Sequence, residues 1–371
     1  MDSCYYSFIF VSHPTGQQSS LNDNALEWMA ALLPGAVAAM AALGAAWLLL
    51  RPNGLIQLLD RPGPRSLHDV AKPRTGGLAI WLGVTAGWLA AWALGWSVAD
   101  NPYLIGGWAL IAAVSLADDL GGLPALPRFV VHFLAAAMLI PAGYGLREMQ
   151  VPGGWTLALG AAEIPLTLLL VTWLANLYNF MDGMDGFAGG MGAIGFGWLA
   201  LLAGLQGHEA LAHTATLIAL ANLGFLAFNF PPARIFMGDA GAVPMGFAAG
   251  GLSLWGISAG AFPFWIPVMI FSPFIADATV TLLLRLSRGE KVWEAHRSHY
   301  YQRLVLLGWG HRKTVLAEYG VMAAAGATAY VLSLWGNSRL ELAALAGWFA
   351  FYGTAALVIR RTEQKKSGKI R

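Results

Sequence analysis

Long apolar segments separated by short polar stretches make up most of this chain. Crossing the hydrocarbon core of a bilayer takes about 20 apolar residues in a helix. Because helices satisfy their own backbone hydrogen bonds inside lipid, this pattern predicts an all-α polytopic membrane protein. We predict about eleven transmembrane helices, at 27–50, 76–96, 103–117, 128–146, 161–178, 188–206, 210–228, 240–258, 262–284, 315–335 and 340–359.

Two places depart from plain spans. The segment 262–284 contains Pro263, Pro267 and Pro273, which predict a kink or a break. Between the fourth and fifth spans, residues 149–160 predict a small hairpin on a membrane surface, with Pro-Gly-Gly as its turn. The predicted organisation is an irregular segment 1–25, a single transmembrane domain 26–360 and a basic tail 361–371.

Composition agrees with a membrane protein and excludes several other classes. Of the 371 residues 57% are hydrophobic and 11% are charged, whereas a soluble domain carries about 25% charged residues. The single cysteine, Cys4, excludes an internal disulfide framework and a cysteine-rich metal site.

The basic residues predict the orientation in the membrane. When the boundary residue Arg128 is counted with the loop before it, all of the 22 Lys and Arg residues except Arg147 and Arg339 fall in loops on one side of the eleven predicted spans, or in the tail on that side. Since cytoplasmic loops carry the excess of Lys and Arg, that side is predicted to be cytoplasmic. The N-terminus is then outside and the C-terminus inside. The polar motifs also lie on the cytoplasmic side, as expected of an enzyme acting at that face.

The first two cytoplasmic loops carry candidate polar groups. In the first loop Lys72 and Arg74 are candidates to bind phosphate, and a lipid-facing basic loop is the alternative. In the second, Asp118 and Asp119 are adjacent and point about 100° apart on a helix. They need not share one metal, so one is a candidate to contact a lipid phosphate and the other to orient a neighbour. The alternative is a solvated helix end.

The third polar stretch is the densest. Asn176 and Asn179 are three residues apart, as are Asp182 and Asp185, and Gly183 and Gly186 permit tight turns. Carboxylate and amide oxygens suit Mg²⁺ or Mn²⁺. Asx-turns are the structural alternative.

Asp239 stands between glycines just before a span, where it is either an N-cap or a metal ligand. The fifth loop, 285–314, combines cations, imidazoles and aromatic rings, including His296, Arg297 and His299. This set suits a pyrophosphate with an attached base or sugar, and a topogenic basic loop is the alternative. Asp277 is a carboxylate inside a predicted span, and we expect it to form a structural ion pair or network with Arg285.

Together these loops resemble the polyprenyl-phosphate N-acetylhexosamine-1-phosphate transferase family. The matching motifs, in family order over about 51–312, are PRTGG at 73–77, DD at 118–119, NLYNFMDGMDG at 176–186, FMGDAG at 236–241 and the histidine-rich fifth loop. The resemblance implies transfer of a sugar 1-phosphate from a UDP-N-acetylhexosamine to undecaprenyl phosphate, with release of UMP and a need for Mg²⁺. It also implies a bacterial inner-membrane enzyme whose active site faces the cytoplasm.

Residue roles follow from the same resemblance. Asp239 resembles the principal Mg²⁺ ligand and Asn179 a second ligand. Asp182 and Asp185 resemble contacts to the nucleotide, and Asp118 and Asp119 the pair near the lipid phosphate. The pyrophosphate-binding loop is matched by His296, Arg297 and His299.

Two departures from the family pattern bear on which branch of the family the chain resembles. Ala242 follows Gly241 where the family often has Ser, and the fifth loop lacks the triple-His run of the muramoyl-pentapeptide transferases. Both peptidoglycan synthesis and transport of a lipid-linked sugar stay open as alternatives to an enzyme that initiates O-antigen or another surface polysaccharide. The implied sugars are GlcNAc, QuiNAc or FucNAc. No nucleic-acid partner is expected, and a homodimer stays open.

Overall fold

The computed structural model describes residues 21–51, 58–63, 67, 69–291 and 296–368, with side chains described between residues 32 and 366. Within these residues the chain is mostly helical, and nine helices are long and apolar enough to span a membrane. The predicted all-α polytopic class is confirmed. Residues 1–20 of the predicted irregular segment and 369–371 of the predicted tail lie outside the described residues.

Thirteen α-helices and two short hairpins form the described part of the chain. The helices are α1 (Leu21–Leu49), α2 (Gly76–Ala93), α3 (Pro102–Gly121), α4 (Ala125–Ala137), α5 (Glu163–Phe180), α6 (Phe187–Leu205), α7 (Glu209–Asn229), α8 (Asp239–Ser258), α9 (Trp265–Ile270), α10 (Ser272–Ser287), α11 (Tyr300–Leu304), α12 (Gly310–Trp335) and α13 (Ser338–Gly368). The strand pairs are β1 (Leu59–Asp60) with β2 (Lys72–Pro73), and β3 (Glu148–Val151) with β4 (Trp155–Ala158), both antiparallel.

Two predicted spans differ from the other nine. The span expected at 128–146 is the 13-residue helix α4, followed by turns around Pro141 and Gly143. A proline disfavours helix at the residue before it, and Gly143 has φ +85°, so the helix does not continue. The span expected at 262–284 is broken at Phe271 into α9 and α10, and this break was predicted from its prolines.

Helix α8 is the most deeply buried of the nine candidate spans in the described chain. Its small residues permit neighbouring backbones to approach closely, as is usual between membrane helices. A Cβ at Gly246 would lie 2.3 Å from the carbonyl oxygen of Leu174 in α5. This packing fixes α8 relative to α5, and the active-site residues lie at the ends of both helices.

The start of α2 is joined to the loop before α8 by backbone contacts. The N–H of Gly76 donates to Phe236 O and that of Gly77 to Met237 O, both at 2.8 Å. A Cβ at Gly77 would lie 2.2 Å from the backbone nitrogen of Gly241. Only glycine fits this crossing, which brings the PRTGG and FMGDAG motifs together.

The polar motifs meet at one end of the helix bundle. Arg303 of α11 pairs with Glu363 near the end of α13, so the last turns of α13 lie at this end. The predicted hairpin is confirmed as β3–β4, and the N–H of Gly153 in its turn donates to Glu341 near the start of α13 at 3.2 Å. Because α13 is long enough to cross a membrane, the hairpin lies at the opposite end of the bundle.

Candidate active site

A cleft of about 300 Å³ opens where α3, α5, α8, α11 and α12 come together. Five of the residues predicted for the site line it: Asp119, Asn179, Asp182, Asp185 and Asp239. Arg74, a phosphate-binding candidate from the first loop, also lines it, together with Gln302 and His311, which the sequence motifs did not single out. The cleft therefore collects side chains from all five predicted polar loops.

Asp182 is a carboxyl group whose surroundings in the cleft disfavour its charged form. Burial raises the pKa of its carboxyl well above the ordinary value, and the carboxylates of Asp239 and Asp119 raise it further. A hydrogen bond from the backbone N–H of Gly238 acts in the opposite direction without cancelling these effects. Three acidic side chains at one cleft create a site that attracts a cation.

Arg128 connects Asp239 with a further acidic residue, Asp118. Its Nη1 lies 2.5 Å from Oδ2 of Asp118 and 3.5 Å from Oδ2 of Asp239. Asp118 is buried and also accepts the N–H of Leu123 at 2.6 Å. Asp118 therefore lies beside the cleft, and a guanidinium links it to Asp239. No sequence pattern predicted a site role for Arg128, because it is the turn between α3 and α4 that brings its side chain to Asp118.

Asp119 contacts the first turn of α8. Its Oδ2 accepts the N–H of Ala240 at 2.8 Å, and its Oδ1 lies 3.4 Å from the N–H of Asp239. Nη2 of Arg74 donates to the carbonyl of Asp119 at 2.6 Å. A carboxylate at a helix N-terminus is stabilised by the unpaired N–H groups there. Asp118 and Asp119 are buried with different partners, so the solvated-turn alternative is excluded.

Gly238 permits this arrangement. It is the N-cap of α8 and has φ +72°, a conformation that favours glycine. A Cβ there would lie 2.3 Å from Arg74 O and 3.0 Å from Oδ2 of Asp119. Asp239 is therefore the first residue of the helix and not its cap, and its half-buried carboxylate lines the cleft.

Asp185 forms the opposite wall with basic partners. Burial acts to raise its pKa, but contacts from His311, the N–H of Ala233 and Lys72 hold the pKa below the ordinary value. Ala233 N lies 2.9 Å from Oδ2 of Asp185, His311 Nδ1 lies 3.3 Å from Oδ1 and Lys72 Nζ lies 3.9 Å from Oδ2. Lys72, predicted to bind phosphate, is thus paired with Asp185 at the edge of the cleft and does not line it.

The donor set fits a hard divalent cation. Asn179, at the last turn of α5, has no side-chain hydrogen bond within the described chain and lines the cleft with Asp182 and Asp239. Mg²⁺ typically takes one or two carboxylates, several waters and substrate phosphates, so it needs no cage of protein ligands. The described residues contain no cluster of three or more His, Cys, Asp or Glu side chains arranged to hold a metal alone.

The fifth loop contributes differently from the prediction. His296, Arg297 and His299 do not line the cleft. His299 is 2% exposed, and its Nδ1 lies 3.2 Å from Oδ1 of Asp277. Burial and the neighbouring imidazole of His299 lower the pKa of His296 to about 4, so His296 is neutral at pH 7. The loop supports the cleft wall, while Gln302 and His311 reach the cleft.

The partner expected for Asp277 was also wrong. Asp277 accepts the backbone N–H groups of Tyr300 and Tyr301 at 2.9 and 3.0 Å and contacts His299, while Arg285 pairs with Glu290 at 2.7 Å. The first N–H groups of a helix have no partner within the helix and attract a nearby carboxylate. Those of α11 lie next to Asp277, whereas Arg285 is about two helical turns away. Asp277 therefore holds α11 in place against the end of α5.

Comparisons with known proteins identify the relatives of this chain. The family model described as glycosyl transferase family 4 matches residues 101–257. A probable undecaprenyl-phosphate N-acetylglucosaminyl 1-phosphate transferase of Bacillus subtilis is 34% identical over 268 residues, which cover 71% of this chain and 74% of the relative. A decaprenyl-phosphate N-acetylglucosaminephosphotransferase of Mycobacterium tuberculosis is 30% identical over 379 residues, covering 90% and 92%.

A more distant relative represents the peptidoglycan branch. A phospho-N-acetylmuramoyl-pentapeptide-transferase of Geobacillus kaustophilus is 26% identical over 209 residues, covering 54% of this chain and 62% of the relative. The N-acetylglucosamine phosphotransferases are both more similar and matched over more of the chain. The motifs, the helical fold and these relatives together place the chain in the polyprenyl-phosphate hexosamine-1-phosphate transferase family.

Proposed function

We propose that this protein transfers an N-acetylhexosamine 1-phosphate from a UDP-sugar to undecaprenyl phosphate and releases UMP. The observation that carries the proposal is the cleft that Asn179, Asp182 and Asp239 line together with the basic side chains of Arg74 and His311. A diphosphate donor that binds with a metal ion needs oxygen ligands for the metal and basic side chains for the phosphates. The relatives named as N-acetylglucosamine phosphotransferases make N-acetylglucosamine the first sugar to test, before its 6-deoxy relatives.

Asp239 and Asn179 would hold Mg²⁺, with Mn²⁺ as a substitute. When bound, the metal neutralises charge on the diphosphate as UMP leaves. Arg74 is fixed by its hydrogen bond to the Asp119 carbonyl, so its remaining donors face the cleft without a large ordering cost. Asp182 and Asp185 line the wall where the nucleoside would bind, and Gln302 of α11 lines the same cleft.

The acceptor phosphate would bind beside Asp118 and Arg128. The first turns of α4 expose the apolar side chains of Leu126, Phe129 and Val130. A polyprenyl chain lying against this face would bring its phosphate to the guanidinium of Arg128. Arg128 then exchanges its carboxylate partners for a phosphate, and Asp239 becomes available to the metal.

Protonation favours direct attack by the lipid phosphate. A phosphate monoester has a second pKa of about 6, so at neutral pH its oxygen is largely deprotonated and needs no strong base. Asp118 therefore orients the phosphate or accepts a residual proton, and the attacking oxygen displaces UMP in line. A covalent aspartyl-phosphate would need an oxygen of Asp118 free of Arg128. Trapping a phosphorylated enzyme with UDP-sugar in the absence of lipid would contradict direct attack.

We place the enzyme in the bacterial inner membrane, with the cleft facing the cytoplasm. Support comes from the basic residues, which cluster at the end of the bundle that carries the cleft. The product would begin O-antigen or another cell-surface polymer. Transport is the alternative from another class, and a carboxylate inside a predicted span, Asp277, is the residue that would support it. That residue caps α11 beside the cleft, so it offers no binding site within the bilayer.

Release of UMP tests the function. Purified protein is incubated with undecaprenyl phosphate, Mg²⁺ and, in turn, the UDP derivatives of GlcNAc, QuiNAc, FucNAc and muramoyl-pentapeptide. We expect UMP with one of the first three. Release only with the muramoyl-pentapeptide donor would assign the peptidoglycan reaction instead, and no release with any donor would contradict the transferase assignment.

A further inference from the structure

A second cavity, of about 380 Å³, lies between α10, α11 and α13. It shares no lining residue with the catalytic cleft. Helix α11 separates the two spaces, because Gln302 lines the cleft whereas Tyr300 and Arg303 line the second cavity. We call this cavity the arginine pocket, after the four arginines that line it: Arg285, Arg288, Arg303 and Arg360.

The arginine pocket has an excess of positive charge. Its four guanidinium groups come from α10, the end of α10, α11 and α13, and Glu363 is the only carboxylate among the described lining residues. Outside the lining, Glu290 pairs with Arg285 at 2.7 Å and lies 3.7 Å from Arg288, so the described carboxylates around the four arginines number two. Glu363 binds Arg303 through both oxygens, at 2.5 and 2.7 Å. Arg360 is half-buried and has no ion-pair partner in the described chain. Half-burying an unpaired cation is costly, so the charge pattern favours an anionic ligand.

The position of the pocket matches the surface of a bilayer. Next to the pocket-lining residues, α10 and α13 expose Leu283, Leu286, Leu357 and Val358, each more than half exposed. Helix α13 is long and apolar enough to span a membrane, so its exposed apolar side chains face lipid, and α10 packs near it around the pocket. Arg285 and Arg288 lie at the end of α10 and Arg360 lies near the polar end of α13, which places them at the depth of lipid head groups.

We propose that the arginine pocket binds a phosphate group at a site separate from the catalytic cleft. The planar guanidinium fork matches two phosphate oxygens, and basic pockets between membrane helices accept anionic head groups. An anionic phospholipid at the bilayer surface and free phosphate in solution both supply this chemistry. A phosphate held by Arg360 and Arg288 would tie α13 to the end of α10.

Binding there would reach the cleft through α11. Arg303 in the pocket is one residue from Gln302 in the cleft, and Tyr301 OH donates to the carbonyl of Phe180 at 3.2 Å. Phe180 follows Asn179, a proposed metal ligand. A ligand that holds α10, α11 and α13 together therefore stabilises one wall of the active site without entering it.

The test compares two adjacent arginines of α13. Full-length protein is placed in phosphatidylcholine nanodiscs with or without phosphatidylglycerol, or with added inorganic phosphate, and ligand binding is measured by native mass spectrometry and by the shift in Tm. Arg360→Gln removes a pocket arginine that has no partner. Arg361→Gln removes the same charge from an exposed position outside the pocket. We expect wild type and Arg361→Gln to bind and to gain Tm, and Arg360→Gln to bind about tenfold more weakly.

The arms also identify the source of the phosphate. A response to phosphatidylglycerol alone assigns the pocket to a lipid head group, and a response to inorganic phosphate that Arg360→Gln weakens assigns it to a soluble ligand. The proposal is overturned if neither ligand binds wild type, or if Arg361→Gln loses as much binding as Arg360→Gln. Because no turnover is measured, these outcomes do not depend on the proposed enzymatic function.

Discussion

The carboxylate of Asp119 accepts the backbone N–H of Ala240 at 2.8 Å. The two residues come from different motifs, and this contact fixes the first turn of α8, where Asp239 enters the cleft. The conspicuous Asp pair is thus divided: one member holds the helix that carries a proposed metal ligand, and the other contacts Arg128.

Removing the Asp119 carboxylate should destabilise the protein as well as impair it. Asp119→Ala leaves the first N–H groups of α8 without their acceptor, which costs about 1 kcal/mol. Asp119→Asn keeps an acceptor oxygen and should lose less stability. Thermal unfolding of both variants in detergent checks this order. If Asp119→Ala unfolds at the wild-type temperature, the capping role is wrong.

Arg128 should affect use of the lipid acceptor more than binding of the sugar nucleotide. Arg128→Gln removes the proposed phosphate contact and the link between Asp118 and Asp239, so we expect kcat/KM for undecaprenyl phosphate to fall by about 10- to 100-fold, the loss of one charge-assisted contact. Steady-state kinetics with each substrate varied in turn measures it.

Arg147→Gln is the control, since Arg147 is mostly exposed and pairs with Glu163 away from the cleft. An equal rise in KM for both substrates in Arg128→Gln would contradict a specific contact between Arg128 and the phosphate of the lipid acceptor.

The sequence specified the type of fold and most of the cleft. Apolar length predicted the helices because a span must bury about 20 residues in lipid. The polar residues in loops on one side predicted which motifs meet, and Asp119, Asn179, Asp182, Asp185 and Asp239 do line one cleft. Helix–helix geometry sets which of them face one another, and no local pattern encodes it.

The fifth loop shows where local patterns fail. His296 and His299 share a spacing typical of ligands, yet His299 is buried against Asp277. His311, twelve residues beyond His299, reaches Asp185 because the α12 N-terminus packs beside the start of α6. Arg128 reaches Asp118 through the turn from α3 to α4. These are tertiary contacts between segments whose own sequences carry no signal for them.

Asp182 should lower the stability of the protein at neutral pH, although activity requires it. Since its folded-state pKa is raised by burial and by Asp239 and Asp119, its ionisation opposes folding at neutral pH. Asp182→Asn should therefore raise Tm at pH 7 in metal-free buffer and abolish UMP release. The gain in Tm should vanish as pH falls below the unfolded-state pKa of about 3.9, where both states are protonated.

Unfolding of wild type and Asp182→Asn across pH measures this, with Asp69→Asn as a control at an exposed position. A gain in Tm that stays constant with pH would show that the charge of Asp182 is not the cause.

Gly77 should not tolerate even one methyl group. The Cβ of Gly77→Ala would lie 2.2 Å from a backbone nitrogen of α8, and neither backbone has room to move. We expect loss of folded protein or a loss of stability of several kcal/mol, as overpacking costs about 1–3 kcal/mol even where side chains can adjust. Gly44→Ala, in α1 with open space around its Cα, is the control and should keep the wild-type Tm.

Asp239 gives the most direct test of the metal assignment. Its half-buried carboxylate lines the cleft and contacts Arg128, but the first turn of α8 is held by Asp119, so Asp239→Ala should leave the fold intact. We expect UMP release to fall at least about 1,000-fold, the scale on which removing a metal or oxyanion contact acts. Wild-type Tm should rise with added Mg²⁺, and the variant should lose that rise while Asp69→Ala keeps it. Turnover that survives in a folded Asp239→Ala, or an Mg²⁺-dependent rise in its Tm equal to that of wild type, would show that the metal is held elsewhere.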